Sequence, residues 1–370
     1  MDQVKKRQSW VDYARGVAIL LVAYRHVFEG IKSSGISVEN YMYLEHFNIG
    51  FFSFRMPLFF IVSGIFLSAS FSKRGLRKYV ENKAKIILWP YFLWGILQIT
   101  LQIIFSGYVN RTKTVYSYLY LLYQPVEIEQ FWYLYALFNV SVLYVFLKYV
   151  VRLKTWHQVI LAAAMYFGCS YFNRQSINLG FLLDIFHNYI FILIGDMIHT
   201  WIRDPKRIKM LQEWKTFFIL IIPFAATQGY FLYRNINSTV NKYRFVEYYE
   251  PTIFLVIALT GCAFVICCCF LLQRYNKQNW LRVLGRNSLY IYVSHVIIFA
   301  AFRVLLTRIF HIYNVPFLLI VCIAIGVTIP VFLFRLSERL GMEWIFTLEK
   351  PGKTQYEKNN IAVSEARIAN

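Results

Sequence analysis

Residues 11–30 read VDYARGVAILLVAYRHVFEG, and this run decides the fold class of the chain. A helix of about 20 apolar residues crosses the hydrocarbon core of a bilayer, whereas a core helix of a soluble protein is usually shorter. Lys5, Lys6 and Arg7 precede the run as they would in a signal peptide, but no small-residue cleavage site follows it. We therefore expect a retained first transmembrane helix.

Nine further apolar runs follow the first one. Of the 370 residues, 58% are hydrophobic and 19% aromatic, and the excess over a soluble domain is gathered in these runs. The predicted spans are 11–30, 50–71, 84–105, 130–150, 157–173, 182–202, 215–234, 251–273, 288–309 and 315–336. The apolar stretch 115–124 is too short to cross and is predicted to be re-entrant or interfacial. The sequence thus predicts an all-α integral membrane protein of about ten transmembrane helices.

The net charge of +20 admits two interpretations. It would indicate nucleic-acid binding in a soluble protein, but basic cytoplasmic loops are the usual cause in a membrane protein. Every second loop is rich in cations, namely Lys73, Arg74, Arg77, Lys78, Lys83 and Lys85, then Lys148, Arg152 and Lys154, then Arg203, Lys206, Arg207, Lys209 and Lys215, then Arg274, Lys277, Arg282 and Arg286. We therefore expect no nucleic-acid partner, and a multi-pass protein of the inner (cytoplasmic) membrane with both termini in the cytoplasm.

The remaining composition predicts one domain without a metal. Residues 1–340 are expected to form a transmembrane domain, and the polar segment 341–370 a loosely ordered cytoplasmic tail. All six cysteines lie in apolar runs, and none has a zinc-like spacing to histidines. Neither a disulfide framework, a metal site nor a bound cofactor is expected.

Arg15 and His26 are candidates for function because ionisable groups inside a membrane are costly and usually mark a site. They are 11 residues apart, which puts them on one face of a helix and about 16 Å apart along its axis. A guanidinium near the cytoplasmic mouth suits a phosphate-bearing ligand, and an imidazole deeper in the membrane suits proton removal from a hydroxyl. The alternative is that neighbouring carbonyls satisfy both groups. Asp12 is expected to cap the helix or to pair with Arg15.

The second span contains FRMPLFFIVSG, residues 54–64, with Arg55 as an ionisable group inside it. Pro57 frees one backbone carbonyl, and Ser63 and Gly64 let another helix or a ligand approach closely. A kinked helix with a small-residue packing patch explains the pattern equally well.

Two more segments place polar groups at the ends of spans. Ser288 is expected to be the N-cap of the ninth helix, with Tyr292 and His295 following on one face. FWYL at residues 131–134 includes Trp132 and begins the fourth span, where it is also typical of an interfacial aromatic belt.

Other ionisable residues receive no function at this level. Arg25, Arg303 and Asp184 lie near the ends of predicted spans, where they are expected to snorkel to the headgroups. Glu247 and Glu250 lie near the outer mouth, where they either bind sugar hydroxyls or belong to a solvated loop. We expect the solvated loop.

These segments together resemble the membrane acyltransferase-3 family, in particular its branch related to fucose 4-O-acetylases. The resemblance covers about residues 9–337 and rests on four pieces in the right order: DYARG at 12–16 with His26, MPLFF at 56–60 with Ser63 and Gly64, FWYL at 131–134, and Leu284-Gly285 with Ser288, Tyr292 and His295. It implies O-acylation of a carbohydrate, with acetyl-CoA as the usual cytosolic donor. The implied partners are acyl-CoA, a lipid-linked or exopolysaccharide acceptor and the membrane lipids.

In that family the first-helix histidine is the expected catalytic residue and the first-helix arginine binds the donor, which assigns these roles to His26 and Arg15. The donor phosphates are expected near Arg15 and the loop residues Lys73, Arg74 and Arg77, with His26 as general base on the acceptor hydroxyl. The candidates for oxyanion or acceptor binding are Arg55, Ser63, Tyr292, His295 and Trp132. A structural or pairing role is expected for Asp12, Pro57, Gly64 and Ser288.

A transporter that exports a glycan or a lipid-linked sugar is the alternative, because it explains the helices and the buried polar groups equally well. It does not account for the ordered acyltransferase motifs. The sequence leaves open the sugar and its hydroxyl, acetyl against succinyl or another acyl group, direct transfer against a covalent acyl intermediate, and the oligomeric state.

Overall fold

A computed structural model of the chain describes residues 9–72, 74–240 and 243–348, and these form helices without any strand. Ten long helices make up most of the described chain: α1 Ser9–Lys32, α2 Phe52–Ile65, α3 Trp89–Ile104, α4 Trp132–Val145, α5 Thr155–Arg174, α6 Phe181–Met197, α7 Trp214–Ile236, α8 Pro251–Tyr275, α9 Ser288–Val304 and α10 Val315–Arg339. Each coincides with one predicted span, because the apolar runs that define the spans are local features of the sequence. The predicted all-α fold class is confirmed.

Shorter helical elements connect the long ones. They are Glu39–Tyr41, Met42–Gly50, Leu67–Ser72, Gly75–Lys83, Val115–Leu119, Tyr120–Tyr123, Pro125–Phe131, Trp201–Arg203, Pro205–Leu211, Phe245–Tyr249, Asn279–Arg286 and Glu343–Ile345. Wider π-helical turns at Ala84–Leu88, Phe146–Val150 and Leu305–Ile309 adjoin α3, α4 and α9. The apolar stretch 115–124 is indeed too short for a span: it forms two short helical pieces, held by a 2.7 Å hydrogen bond from Tyr91 Oη to the Leu121 carbonyl.

Seven helical segments of the described chain are long and apolar enough to cross a membrane: Glu39–Ser72, Gly75–Ile104, Pro125–Val150, Trp214–Ile236, Pro251–Tyr275, Ser288–Ile309 and Val315–Arg339. The protein is therefore a multi-pass membrane protein. The other three predicted spans are the helices α1, α5 and α6. Of these, α6 has only 17 residues and α1 carries several ionisable side chains. The count of about ten spans and the cytoplasmic location of both termini stay predictions.

The first helix lies inside the bundle, where it packs against α2, α8, α9, α10 and the short helix Asn279–Arg286. Two glycines bring α1 and that short helix into backbone contact. A Cβ on Gly285 would lie 1.7 Å from the Asp12 carbonyl oxygen, and one on Gly16 would lie 2.1 Å from the Leu281 carbonyl oxygen. Small residues of this kind allow the close backbone approach on which helix association in lipid depends.

A second pair of glycines joins α2 to α6. A Cβ on Gly64 would lie 2.3 Å from the Ile192 carbonyl oxygen, and a Cβ on Gly195 would lie 2.3 Å from that of Ile61. The close approach predicted at Gly64 is therefore present, and its partner is another helix. Pro57 lies inside α2, which continues through it from Phe52 to Ile65.

One prediction about a helix end is wrong, and of the two alternatives predicted for Asp12, capping is wrong while pairing with Arg15 stays a prediction. Ser288 is the first residue of α9 and not its cap, which is Asn287, because the preceding short helix ends only at Arg286. The Asn287 side chain donates to the Val283 carbonyl at 2.8 Å and caps nothing. Asp12 is the fourth residue of α1 and not its cap, and its fully buried carboxylate accepts from Arg286 Nε at 3.1 Å. Spacing along α1 could not indicate this distant partner.

Replacing Gly285 by alanine should destabilise the bundle, because the added methyl group has to displace backbone of α1. Overpacking of this kind costs about 1–3 kcal/mol, which should appear as a lower midpoint of thermal unfolding in detergent. Gly229→Ala in α7 is the matched control, since a Cβ there meets nothing within 4 Å. Equal midpoints for the two variants would contradict the proposed backbone contact.

Candidate functional site

A cavity of about 920 Å³ opens at one end of the bundle. Its walls are the last turns of α1, the first turns of α2, the end of α3, the start of α6 and the second half of α9. Its size is typical of a small-molecule site. Five of the predicted site residues line it, namely His26, Arg55, Pro57, Trp132 and Tyr292. We call it the His26 cavity.

The imidazole of His26 has a second imidazole beside it. The ring centroids of His26 and His295 are 5.4 Å apart, with their planes at 64°. His295 is fully buried, and its Nδ1 lies 3.0 and 2.9 Å from the carbonyl oxygens of Ile291 and Tyr292. Carbonyl oxygens only accept, so Nδ1 carries the hydrogen and Nε2 carries a lone pair. That Nε2 atom has no hydrogen-bond partner among the described residues.

Arg55 brings a guanidinium to the same cavity. The side chain is 2% exposed, and Nη1 donates to the Leu21 carbonyl at 3.3 Å and to Asn48 Oδ1 at 3.4 Å. Its Nη2 atom is buried without a hydrogen-bond partner in the described chain. A buried donor without a partner is costly, so this nitrogen is a natural contact for a ligand.

Tyr292 lines the cavity, but its hydroxyl is not free to donate a hydrogen bond to a ligand. Its hydroxyl donates to the carbonyl oxygen of Gln130, and its ring lies 5.2 Å from the ring of Tyr133. The hydroxyl hydrogen is therefore already engaged within the protein.

Most of the other predicted site residues belong to a different part of the bundle. Arg15 and Ser63 do not line the His26 cavity, and both interact with Tyr133. Arg15 and Arg74 also interact electrostatically with Lys83. Arg77 is exposed, and Lys73 lies outside the described residues. The structure thus divides the predicted residues between two ends, which we call the Arg15 end and the His26 end.

Tyr133 lies between the two ends. It interacts with Arg15 and Ser63 on one side and packs on Tyr292, which lines the His26 cavity, on the other. The FWYL segment contains this tyrosine, but its aromatic-belt pattern did not separate Tyr133 from its neighbours. Lys83 is likewise one of several loop cations in the sequence, and its local pattern does not distinguish it from the others.

Three residues expected at the headgroups or in a solvated loop belong to the cavity instead. Arg25 and Arg303 line it, and Arg303 donates to Asn110 Oδ1 at 3.2 Å. Glu247 also lines it and is only 8% exposed, with His187 Nε2 at 3.6 Å. Their neighbours come from distant parts of the chain, so local sequence could not reveal the burial. Glu250 stays outside the cavity and pairs with Arg234.

Comparison with known proteins provides independent information. The model of a family described as acyltransferase domain, family 3, matches residues 8–336. The nodulation protein NolL of Mesorhizobium japonicum is 27% identical over 154 residues, which is 42% of this chain and 39% of that protein. No solved structure matches the chain. Because the family match spans nearly all of the helical region, the chain belongs to the membrane acyltransferase-3 family.

Proposed function

We propose that the protein is an inner-membrane O-acetyltransferase that moves an acetyl group from cytosolic acetyl-CoA to a hydroxyl of a lipid-linked or exopolysaccharide carbohydrate. Family membership supports acyl transfer at a membrane. The observation that carries the residue assignment is the position of His26, which lines a ligand-sized cavity with the unpartnered Nε2 of His295 in the neighbouring ring.

His26 acts as the general base. The acceptor hydroxyl lies in the His26 cavity and loses its proton to His26 while its oxygen attacks the thioester carbonyl carbon. The new carbon–oxygen bond forms, the carbon–sulfur bond breaks, and the CoA thiolate leaves and takes up the proton. Direct transfer needs no acyl-enzyme intermediate.

His295 positions His26. In the proposed mechanism a rotation of the His26 ring, whose centroid lies 5.4 Å from that of His295, brings its N–H to the unpartnered Nε2 lone pair of His295. This hydrogen bond leaves the other ring nitrogen of His26 unprotonated towards the acceptor. A second group that selects the tautomer of a catalytic histidine is a common arrangement. The hydrogen bonds from Nδ1 to the α9 backbone hold the His295 ring in place.

The donor binds at the Arg15 end. Arg15, Lys83 and Arg74 bring three cations close together, and CoA phosphates would relieve their mutual repulsion. The acyl-bearing arm then runs along α1 past Ser63 and Tyr133, over the roughly 16 Å of helix between Arg15 and His26.

Replacing His26 by alanine should lower acetyl transfer by about 10²–10⁴-fold, the usual contribution of a general base. The measurement is incorporation of labelled acetyl from acetyl-CoA into glycan in membranes with matched protein levels. His46→Ala is the control, because His46 lies at the same end of the bundle but does not line the His26 cavity. Full activity of His26→Ala would refute the mechanism.

Replacing His295 by phenylalanine keeps a ring in the core and removes the Nε2 lone pair. Loss of the positioning hydrogen bond should lower kcat by about tenfold or more, with KM for acetyl-CoA unchanged. A merely structural role predicts a different outcome, in which less folded protein is recovered but the folded fraction keeps its kcat.

Replacing Arg15 by glutamine should raise KM for acetyl-CoA by about tenfold, since a charge-assisted hydrogen bond to phosphate is lost. Lys154→Gln removes a cation from another loop of the set predicted to be cytoplasmic and should leave KM unchanged. If the purified wild-type protein neither binds CoA nor consumes acetyl-CoA, the transporter alternative is favoured.

A further inference from the structure

Three guanidinium groups surround one aromatic ring in the His26 cavity. The distances from Cζ to the centroid of the Phe52 ring are 5.1 Å for Arg25, 5.6 Å for Arg55 and 6.0 Å for Arg244. All four residues line the cavity. The aromatic face attracts each cation, but it supplies no negative charge to separate them.

Two of these arginines form no ion pair with a carboxylate in the described part of the chain. Neither Arg25 nor Arg55 has a carboxylate oxygen within 4.0 Å among the described residues. Arg244 differs, since its Nε lies 3.8 Å from Glu247 Oε2. Arg25 also donates no hydrogen bond to a described residue, and Arg55 Nη2 has no hydrogen-bond partner there.

The carboxylates that could compensate are engaged elsewhere. Five arginines and three glutamates line the cavity. Glu247 lies beside His187 as well as Arg244. The Glu129 carboxylate accepts hydrogen bonds from the side-chain amides of Gln98 and Gln102 at 3.4 and 3.3 Å. Glu29 acts electrostatically on Arg25 and Arg55 but accepts its hydrogen bond from Asn48 Nδ2, at 3.0 Å. The cavity therefore keeps an excess of positive charge.

Unpaired guanidiniums inside a membrane protein are costly and normally have a partner. We infer that the partner is the substrate, and that the carbohydrate acceptor carries an anionic group, a phosphate or a carboxylate, which Arg25 and Arg55 bind above Phe52. This inference rests on the proposed acyl transfer at His26. A guanidinium fork binds both kinds of oxyanion with two parallel hydrogen bonds.

The position of the two arginines assigns the anion to the acceptor. The donor phosphates have their own cations at the Arg15 end, about 16 Å away along α1, and an acetyl group is neutral. Arg25 directly precedes His26 on α1, and Arg55 faces the same cavity. An anion bound there would hold a hydroxyl of the same sugar within reach of the imidazole.

The test compares charged and neutral sugars on the purified full-length protein. Glucose, glucuronate and glucose 1-phosphate are titrated, and the concentration that half-maximally raises the thermal unfolding midpoint is measured for each. Succinate is titrated in parallel as a free dicarboxylate. The proteins are the wild type, Arg25→Gln, Arg55→Gln, His26→Ala and Arg308→Gln. Arg308 is exposed at the same end of the bundle but does not line the cavity.

We expect glucuronate or glucose 1-phosphate to act at concentrations about tenfold or more below that of glucose, the effect of one or two charge-assisted hydrogen bonds. The preference should vanish in Arg25→Gln and Arg55→Gln and persist in His26→Ala and Arg308→Gln. Because Arg25 donates no hydrogen bond to a described residue, Arg25→Gln gives a readout even if Arg55→Gln fails to fold.

Equal action of the three sugars on the wild type, or a preference that survives Arg25→Gln, would overturn the inference. Arginine-dependent stabilisation by succinate without discrimination among the sugars would also overturn it, since the anion would then belong to an acyl group. If the preference holds but the wild type transfers no acetyl group, the proposed function fails while the anion site stands. His26-dependent transfer to a neutral sugar, without any preference for a charged sugar, would support the proposed function and overturn the anion site.

Discussion

The carbonyl oxygen of Asp12 lies where a side chain on Gly285 would have to be, so the first helix and the helix Asn279–Arg286 touch through their backbones. This contact sets the rotation of α1, and an ion pair at 3.1 Å between the buried Asp12 and the half-exposed Arg286 reinforces it. Because α9 follows directly after Arg286, the same contact sets where α9 stands. His26 on α1 and His295 on α9 then meet at 5.4 Å between ring centroids. The pairing of the two imidazoles follows from the packing of two glycines.

A second constraint on the structure is the free-energy cost of an ion without a counter-ion away from water, and it bears on where charged side chains lie inside the bundle. At the Arg15 end Arg15, Arg74 and Lys83 lie close together, and this concentration of positive charge suits a polyphosphate donor. At the His26 end most of the carboxylates already interact with amides, with a histidine or with Arg244. Arg25 and Arg55 are left without an ion pair among the described residues. In the proposed mechanism the two ends bind two different ligands, and Tyr133 lies between them. A transferase that joins a donor from one side to an acceptor on the other needs this division.

The sequence predicted the ten long helices well because length and hydropathy are local properties of each run. The shared face of Arg15 and His26 also followed from spacing alone. What spacing could not predict is that only His26 reaches the large cavity, since that depends on where α2, α6 and α9 stand around α1. The headgroup position predicted for Arg25 is wrong because the residue lines the cavity beside Phe52, and Asp12 accepts a hydrogen bond from Arg286, 274 residues away. Such contacts arise from tertiary packing between residues that are far apart in the chain, and no local pattern of the sequence indicates them.

In the proposed mechanism α1 carries a donor site and a proton-removing site that open to opposite sides of the membrane. Single cysteines at the two positions, His26→Cys and Arg15→Cys, test it directly with a membrane-impermeant maleimide applied to intact cells and to inside-out vesicles. The six native cysteines lie in helices and five of them are buried, so the background should be low. We expect His26→Cys to react in intact cells and Arg15→Cys to react only in inside-out vesicles. Reaction of both cysteines from the same side would contradict it.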